Sequence, residues 1–133
     1  MAKQLSVEFS QRSAAVARVL IADDDVLMRG YLERLLDGDD GFEVCAAAAD
    51  AVEAVRLATR LRPDLCLLDI HMPGDGIAAA WQITARLPST RVVMLTPSGD
   101  DRDLFPALRA GVRGYLPKDL PADEIRPALH AVL

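Results

Sequence analysis

Short, almost uninterrupted apolar runs recur along this chain, each followed by a longer stretch with helical periodicity. The runs are Val19–Ala22 (VLIA), Phe42–Ala46, Leu65–Leu68 (LCLL), Val92–Leu95 (VVML) and Gly114–Leu116. A strand that is apolar at every position must bury both faces, the condition found inside a parallel sheet covered by helices. Between the runs, Val26–Leu36 carries Leu27, Met28, Tyr31, Leu32, Leu35 and Leu36 on a helical period. Asp50 followed by Glu53 reads as a capping box opening a helix to about Leu61, which Arg62-Pro63 stops. Ile77–Leu87, Asp101–Ala110 and Ala122–Val132 complete the helical set, and Gly111 stands where a left-handed C-terminal cap belongs. The pattern predicts an α/β fold: a doubly wound, five-stranded parallel sheet with five helices. Right-handed crossovers would gather the loops that follow the strands at one edge, so function is expected there.

The 133 residues suffice for one domain with a sizeable core, and 51% hydrophobic with 26% charged residues is ordinary for a globular protein. Residues 1–17 lack clear periodicity and read as an N-terminal extension, with 18–133 as the domain. The extension has no apolar core of a secretory signal and no run is long enough for a membrane span, so the expected location is the cytoplasm. A net charge of −5 argues against direct binding of nucleic acid, which wants a basic face. Cys45 and Cys66 form no CxxC pair and read as buried, reduced thiols.

Four of the predicted strand ends deliver chemistry to the common edge. After the first run come Asp23, Asp24 and Asp25, three consecutive carboxylates that repel unless a cation such as Mg²⁺ compensates them; alternatively they are a solvated acidic turn that caps the next helix. The third run ends in Asp69, itself either a turn cap or a third member of an acidic crevice. Thr96 ends the fourth run and Lys118 follows the fifth. Singly these would be a strand residue and a surface charge. Together, carboxylates, one hydroxyl and one ammonium form an inventory suited to phosphoryl transfer.

The series Asp23-Asp24, Asp69 within DIHMPG, Thr96 and Lys118 resembles the receiver domain of two-component response regulators, over residues 18–133. The stretches RVLIADDDVLMRGYLERLL and AGVRGYLPKDLPADEI look like the NarL/LuxR-type subfamily. The resemblance implies a (βα)5 flavodoxin-like receiver fold and an Asp69 phosphoacceptor supplied by a sensor histidine kinase. It further implies Mg²⁺ bound directly by Asp24, mainly through a water by Asp23, and by Asp69 and the backbone carbonyl of His71. Lys118 would pair with Asp69 and then with its phosphoryl group, Thr96 would hold a phosphoryl oxygen, and Tyr115 would be the switch residue. The His71 imidazole is expected to be exposed and to make no metal bond. Transcriptional output, and possible homodimerisation, would belong to a parent protein that continues past Leu133 into a helix-turn-helix domain, with no direct nucleic-acid binding by this chain and no membrane partner.

Other readings stay open at this level. A flavodoxin-like electron carrier would need a Ser/Thr/Gly-rich phosphate cradle where the three aspartates stand. A hydrolase with an aspartyl-phosphate nucleophile would want an acid two residues after it, where His71 stands. A single-domain or degenerate receiver acting only through protein contacts is the third; among these the chain reads as a switch rather than an enzyme. Departures from the family pattern are a loop after Asp69 one residue short, Pro97 after Thr96, Asp119 in place of proline after Lys118, and Pro127 inside the last helix, where a bend or weakening is expected.

Overall fold

Side chains alternate across a strand, so a strand buried on both faces feeds two cores at once. The computed structural model describes residues 16–97 and 99–133; residues 1–15 of the expected extension lie outside the described residues. The chain runs β1 (Ala17–Ala22), α1 (Val26–Asp37), β2 (Phe42–Ala48), α2 (Ala51–Leu61), β3 (Leu65–Asp69), α3 (Gly76–Arg86), β4 (Arg91–Thr96), α4 (Leu104–Arg109), β5 (Gly114–Pro117), α5 (Ala122–Val132). All strand pairings are parallel, in the order β2-β1-β3-β4-β5. Val19, Ile21, Leu65, Leu67, Val93 and Leu95 pack with Leu32, Leu35 and Leu36 of α1 and with Ile125 and Leu129 of α5. Their neighbours Leu20, Ala22, Cys66, Leu68, Val92 and Met94 face the other way, against α2, α3 and α4. Each fully buried Leu among them stabilises the fold by roughly 1.5–3 kcal/mol relative to exposure. No helix among the described residues is long and apolar enough to cross a membrane.

Strand and helix types follow the sequence pattern, while several boundaries and contacts differ for local reasons. Ala17, assigned above to the extension, is the first residue of β1: its N–H bonds the Gly41 carbonyl at 2.8 Å and it pairs with Phe42. The β1–β2 register passes from Val19↔Val44 to Leu20↔Ala46, leaving Cys45 as a bulge on the edge strand. Edge strand β2 is covered on one flank only, and Val44, Cys45 and Ala46 are all partly buried, so Cys45 is less buried than expected, while Cys66 is fully buried. Leu27, counted on the apolar face of α1, is 82% exposed in its first turn. Helix α4 starts at Leu104 rather than Asp101. Pro106 explains this: in the first turn its missing N–H loses nothing, whereas a helix from Asp101 would drive its ring into the Arg102 carbonyl.

Capping is partly as predicted. Asp50 Oδ1 accepts the Glu53 N–H at 2.8 Å, but the Glu53 carboxylate turns to Arg56 (2.6 and 3.0 Å), so half of the capping box forms. Gly111 takes φ +90° after α4, the left-handed position anticipated for it. Helix α5 continues through Pro127. Contacts on either side of the proline hold it: Arg126 Nε donates to the Leu35 carbonyl at 3.1 Å, and His130 meets Asp39 at 3.0 Å while lying against the Phe42 ring.

The short loop after β3 is closed by Gly74 at φ +86° and Asp75 at φ +75°, and Asp75 Oδ1 caps α3 through the Ile77 N–H at 2.9 Å. Helix α3 therefore begins at Gly76, against the backbone of the strand end. A Cβ at position 76 would overlap the Asp69 carbonyl oxygen and come within 2.9 Å of Ile70 Cα. Both obstacles are backbone, so Gly76→Ala is expected to destabilise by roughly 1–3 kcal/mol. Urea denaturation tests this; a neutral result would mean that the loop yields freely.

Candidate functional site

Strands β1 and β3 are neighbours although β2 lies between them in sequence, so the chain leaves the sheet in opposite directions after them. Crevices at such switch points, beyond the C-terminal strand ends, are where open α/β sheets bind ligands. Asp23 and Asp69 flank this one, 0% and 3% exposed.

Asp23 is fixed from several sides. Its N–H donates to the Ala48 carbonyl at 3.0 Å, its own carbonyl accepts from Arg29 Nη1 at 2.8 Å, and Oδ1 accepts the Asp25 N–H at 2.9 Å. Asp25 in turn caps α1 by accepting the Leu27 N–H at 2.9 Å. The acidic triplet therefore divides its labour: Asp25 is the helix cap, Asp23 is buried, and Asp24 is exposed beside it. Asp69 Oδ1 accepts the His71 N–H at 3.2 Å.

Lys118 reaches across from the end of β5. Its N–H bonds the Thr96 carbonyl at 2.8 Å, and its Nζ lies 2.9 Å from Asp23 Oδ2 and 3.2 Å from Asp69 Oδ1. The family resemblance implies a pair with Asp69; the shorter contact is with Asp23. Burial raises the Asp69 carboxyl above its usual range, and the Asp23 charge adds to this, against the His71 N–H and Lys118. Burial alone would pull Lys118 down, but the two carboxylates more than offset it and hold the ammonium above its usual range.

One ammonium does not balance this crevice. Oxygens of Asp23, Asp24 and Asp69 all lie within 4.8 Å of one another. Asp23 Oδ2 is buried and receives no well-directed hydrogen bond, its approach to Nζ being an ion pair without the angular geometry of one. An under-satisfied buried oxygen in an all-carboxylate donor set, with Asp24 open to solvent, suits a hard divalent cation such as Mg²⁺.

Thr96 and Tyr115 meet over a residue that sequence reading missed. Thr96 Oγ1 donates to the Asp100 carbonyl at 3.1 Å; Tyr115 Oη donates to the same carbonyl at 3.2 Å and lies 3.4 Å from Thr96 Oγ1. Asp100 is pinned from its other end by Arg102, at 3.0 and 3.1 Å, and these contacts pull its carboxyl down to about 2. A shared backbone carbonyl leaves no trace in sequence. The half-exposed His71 imidazole faces Asp103 at 3.7 Å and Asp100 at 4.0 Å, outside the aspartate cluster around Lys118. Arg29 likewise carried no sequence signal.

Comparison with known proteins converges on one family. Residues 19–130 match the family described as response regulator receiver domain. The transcriptional regulatory protein LiaR of Bacillus subtilis (strain 168) is 40% identical over 115 residues, covering 86% of this chain and 54% of LiaR. The chain thus spans about half the length of the curated relatives it matches. A two-component response regulator of the LuxR family from Aurantimonas sp. SI85-9A1 superposes with a TM-score of 0.82 at 32% identity, covering 88% of this chain and 84% of that one. A structure of the CheX-CheY-BeF3-Mg+2 complex from Borrelia burgdorferi matches with a TM-score of 0.80 at 28% identity, covering 87% of this chain and 88% of that one.

Proposed function

The chain belongs to the response regulator receiver domain family, and from that premise we propose that Asp69 accepts a phosphoryl group from the phosphohistidine of a sensor kinase. The observation that carries this reading is Lys118 Nζ spanning Asp23 and Asp69 at 2.9 and 3.2 Å inside the switch-point crevice. An Asp69 carboxylate oxygen attacks phosphorus in line, the P–O bond forms as the P–N bond to the donor imidazole breaks, and the released imidazole nitrogen takes a proton from solvent. The protein's part is positioning and charge compensation, as phosphoryl transfer requires. Lys118 neutralises the attacking carboxylate and then follows the charge onto the phosphoryl oxygens. Asp24, Asp69 and the His71 carbonyl, with Asp23 mainly through a water, would hold Mg²⁺, which would supply charge neutralisation of the phosphoryl oxygens.

Thr96 would release the Asp100 carbonyl to donate to a phosphoryl oxygen. Tyr115 shares that carbonyl, so the change at Thr96 is passed to the surface near α4 and β5. Phosphorylation shifts this equilibrium only by its differential stabilisation of the two states. The relatives are response and transcription regulators, and the chain acts as a switch in that scheme rather than as an enzyme. Output would be transcriptional, through a DNA-binding domain of the parent protein, in the cytoplasm.

Incubation with a small acyl phosphate and Mg²⁺, followed by intact-mass measurement, tests the acceptor chemistry. The expected result is a gain of one phosphoryl mass that disappears with hydroxylamine and does not form in the presence of chelator. A hydroxylamine-resistant adduct, or none, would refute the assignment.

A further inference from the structure

Helices α2 and α3 lie side by side on one face of the sheet and leave between them a groove of about 550 Å³ that contains none of the crevice aspartates. We propose that this groove is a binding site for small organic anions with an apolar body. Its volume falls within the roughly 300–1,000 Å³ of small-molecule sites. Apolar surface lines one end: Ala51 and Val55, both nearly buried, with Val52, 76% exposed, at the lip. The same end is closed by the loop that follows β3. The Ala51 N–H bonds the Pro73 carbonyl at 2.9 Å, and Gly74 approaches so closely that a Cβ there would meet Ala51 Cβ at 3.0 Å.

Three arginines also line the groove. Arg56 and Arg60 stand one turn apart on α2, and Arg86 stands in the last turn of α3. Arg56 is engaged by Glu53, while Arg60 and Arg86 form no ion pair among the described residues. Glu53 is the single carboxylate between Ala51 and Pro63, and none occurs between Gly76 and Gly99, in a chain whose net charge is −5. Thr59 spends its hydroxyl on the Val55 carbonyl at 2.8 Å, which leaves the guanidinium groups and Gln82 as the polar groups facing a ligand. Arginines beside an apolar lining match an amphiphilic carboxylate or phosphate.

The test is an amide NMR titration of the isotope-labelled chain with decanoate below its micelle concentration. Saturable shifts are expected at Ala51, Val55, Gly74 and Gln82. The Arg60→Gln/Arg86→Gln double variant, which keeps the amide dispersion of the wild type, should weaken binding by about tenfold or more, as expected for losing two charged contacts. Decyltrimethylammonium, with the same tail and opposite charge, should leave these amides unmoved. Equal response to both amphiphiles, or an unchanged affinity in the double variant, would overturn the proposal. So would a groove that ignores decanoate but takes up a Glu-rich amphipathic helical peptide, which would give it to a protein partner.

Discussion

Replacing Lys118 by Met should cost about 3–5 kcal/mol of stability at pH 7.5, the range found when one partner of a buried ion pair is removed. Nζ stands between Asp23 and Asp69, which are 0% and 3% exposed, and no other ammonium or guanidinium forms an ion pair with either carboxylate among the described residues. Methionine fills the same volume and leaves two buried carboxylates facing each other. Asp69, which already titrates above its unfolded range with the lysine present, should be raised further. A carboxyl whose folded pKa is raised favours the folded state when protonated and loses that contribution as pH rises through the folded value. The deficit of the variant is therefore expected to be largest at neutral pH and to shrink as pH falls toward about 4, the ordinary carboxylate range. Added Mg²⁺ should recover part of it by binding the folded state alone. Urea denaturation at pH 7.5 and 5, with and without Mg²⁺, measures all of this. A deficit independent of pH would show that Lys118 contributes through packing rather than charge.

Strands such as LCLL and VVML announce a two-sided burial by composition, and topology then fixes which residues share an edge. Asp23, Asp69, Thr96 and Lys118 were legible because each directly ends or follows an apolar run. The helix boundary at Leu104 was not, since Asp101–Ala110 has adequate periodicity and only the steric demand of Pro106 shortens it. Cys45 is less buried than its apolar neighbours suggest because β2 lies at the sheet edge, and strand order is a property of topology. The Asp100 carbonyl shared by Thr96 and Tyr115 is a backbone contact across a loop, and side-chain identity says nothing about it. Lys118 shows the finer limit. Sequence reading placed it near the acids, but its shorter contact with Asp23 depends on how β5 ends relative to β1, a matter of ångströms.

Asp69→Asn should separate function from folding. The variant lacks the nucleophilic oxygen, since an amide oxygen does not form the acyl phosphate, and no mass gain is expected from a phosphodonor with Mg²⁺ under conditions that label wild type fully. It should also be more stable than wild type at neutral pH, because a buried carboxyl with a raised folded pKa weighs against the folded state once ionised and a neutral amide does not, provided that the remaining charges stay paired. They do here: Lys118 keeps its 2.9 Å contact with Asp23, and the Asn side-chain oxygen can still accept the His71 N–H. The sign follows from the raised carboxyl of Asp69. Wild type loses stability as pH climbs from the unfolded carboxylate range through the higher folded value, whereas an amide does not titrate. The advantage of the variant should accordingly vanish near pH 4 and grow toward neutrality, an effect readable as a Tm difference that widens with pH. Labelling of Asp69→Asn equal to wild type would move the acceptor elsewhere. A variant that is silent and also less stable at pH 7 would instead mean that the Asp69 charge is fully compensated in the fold.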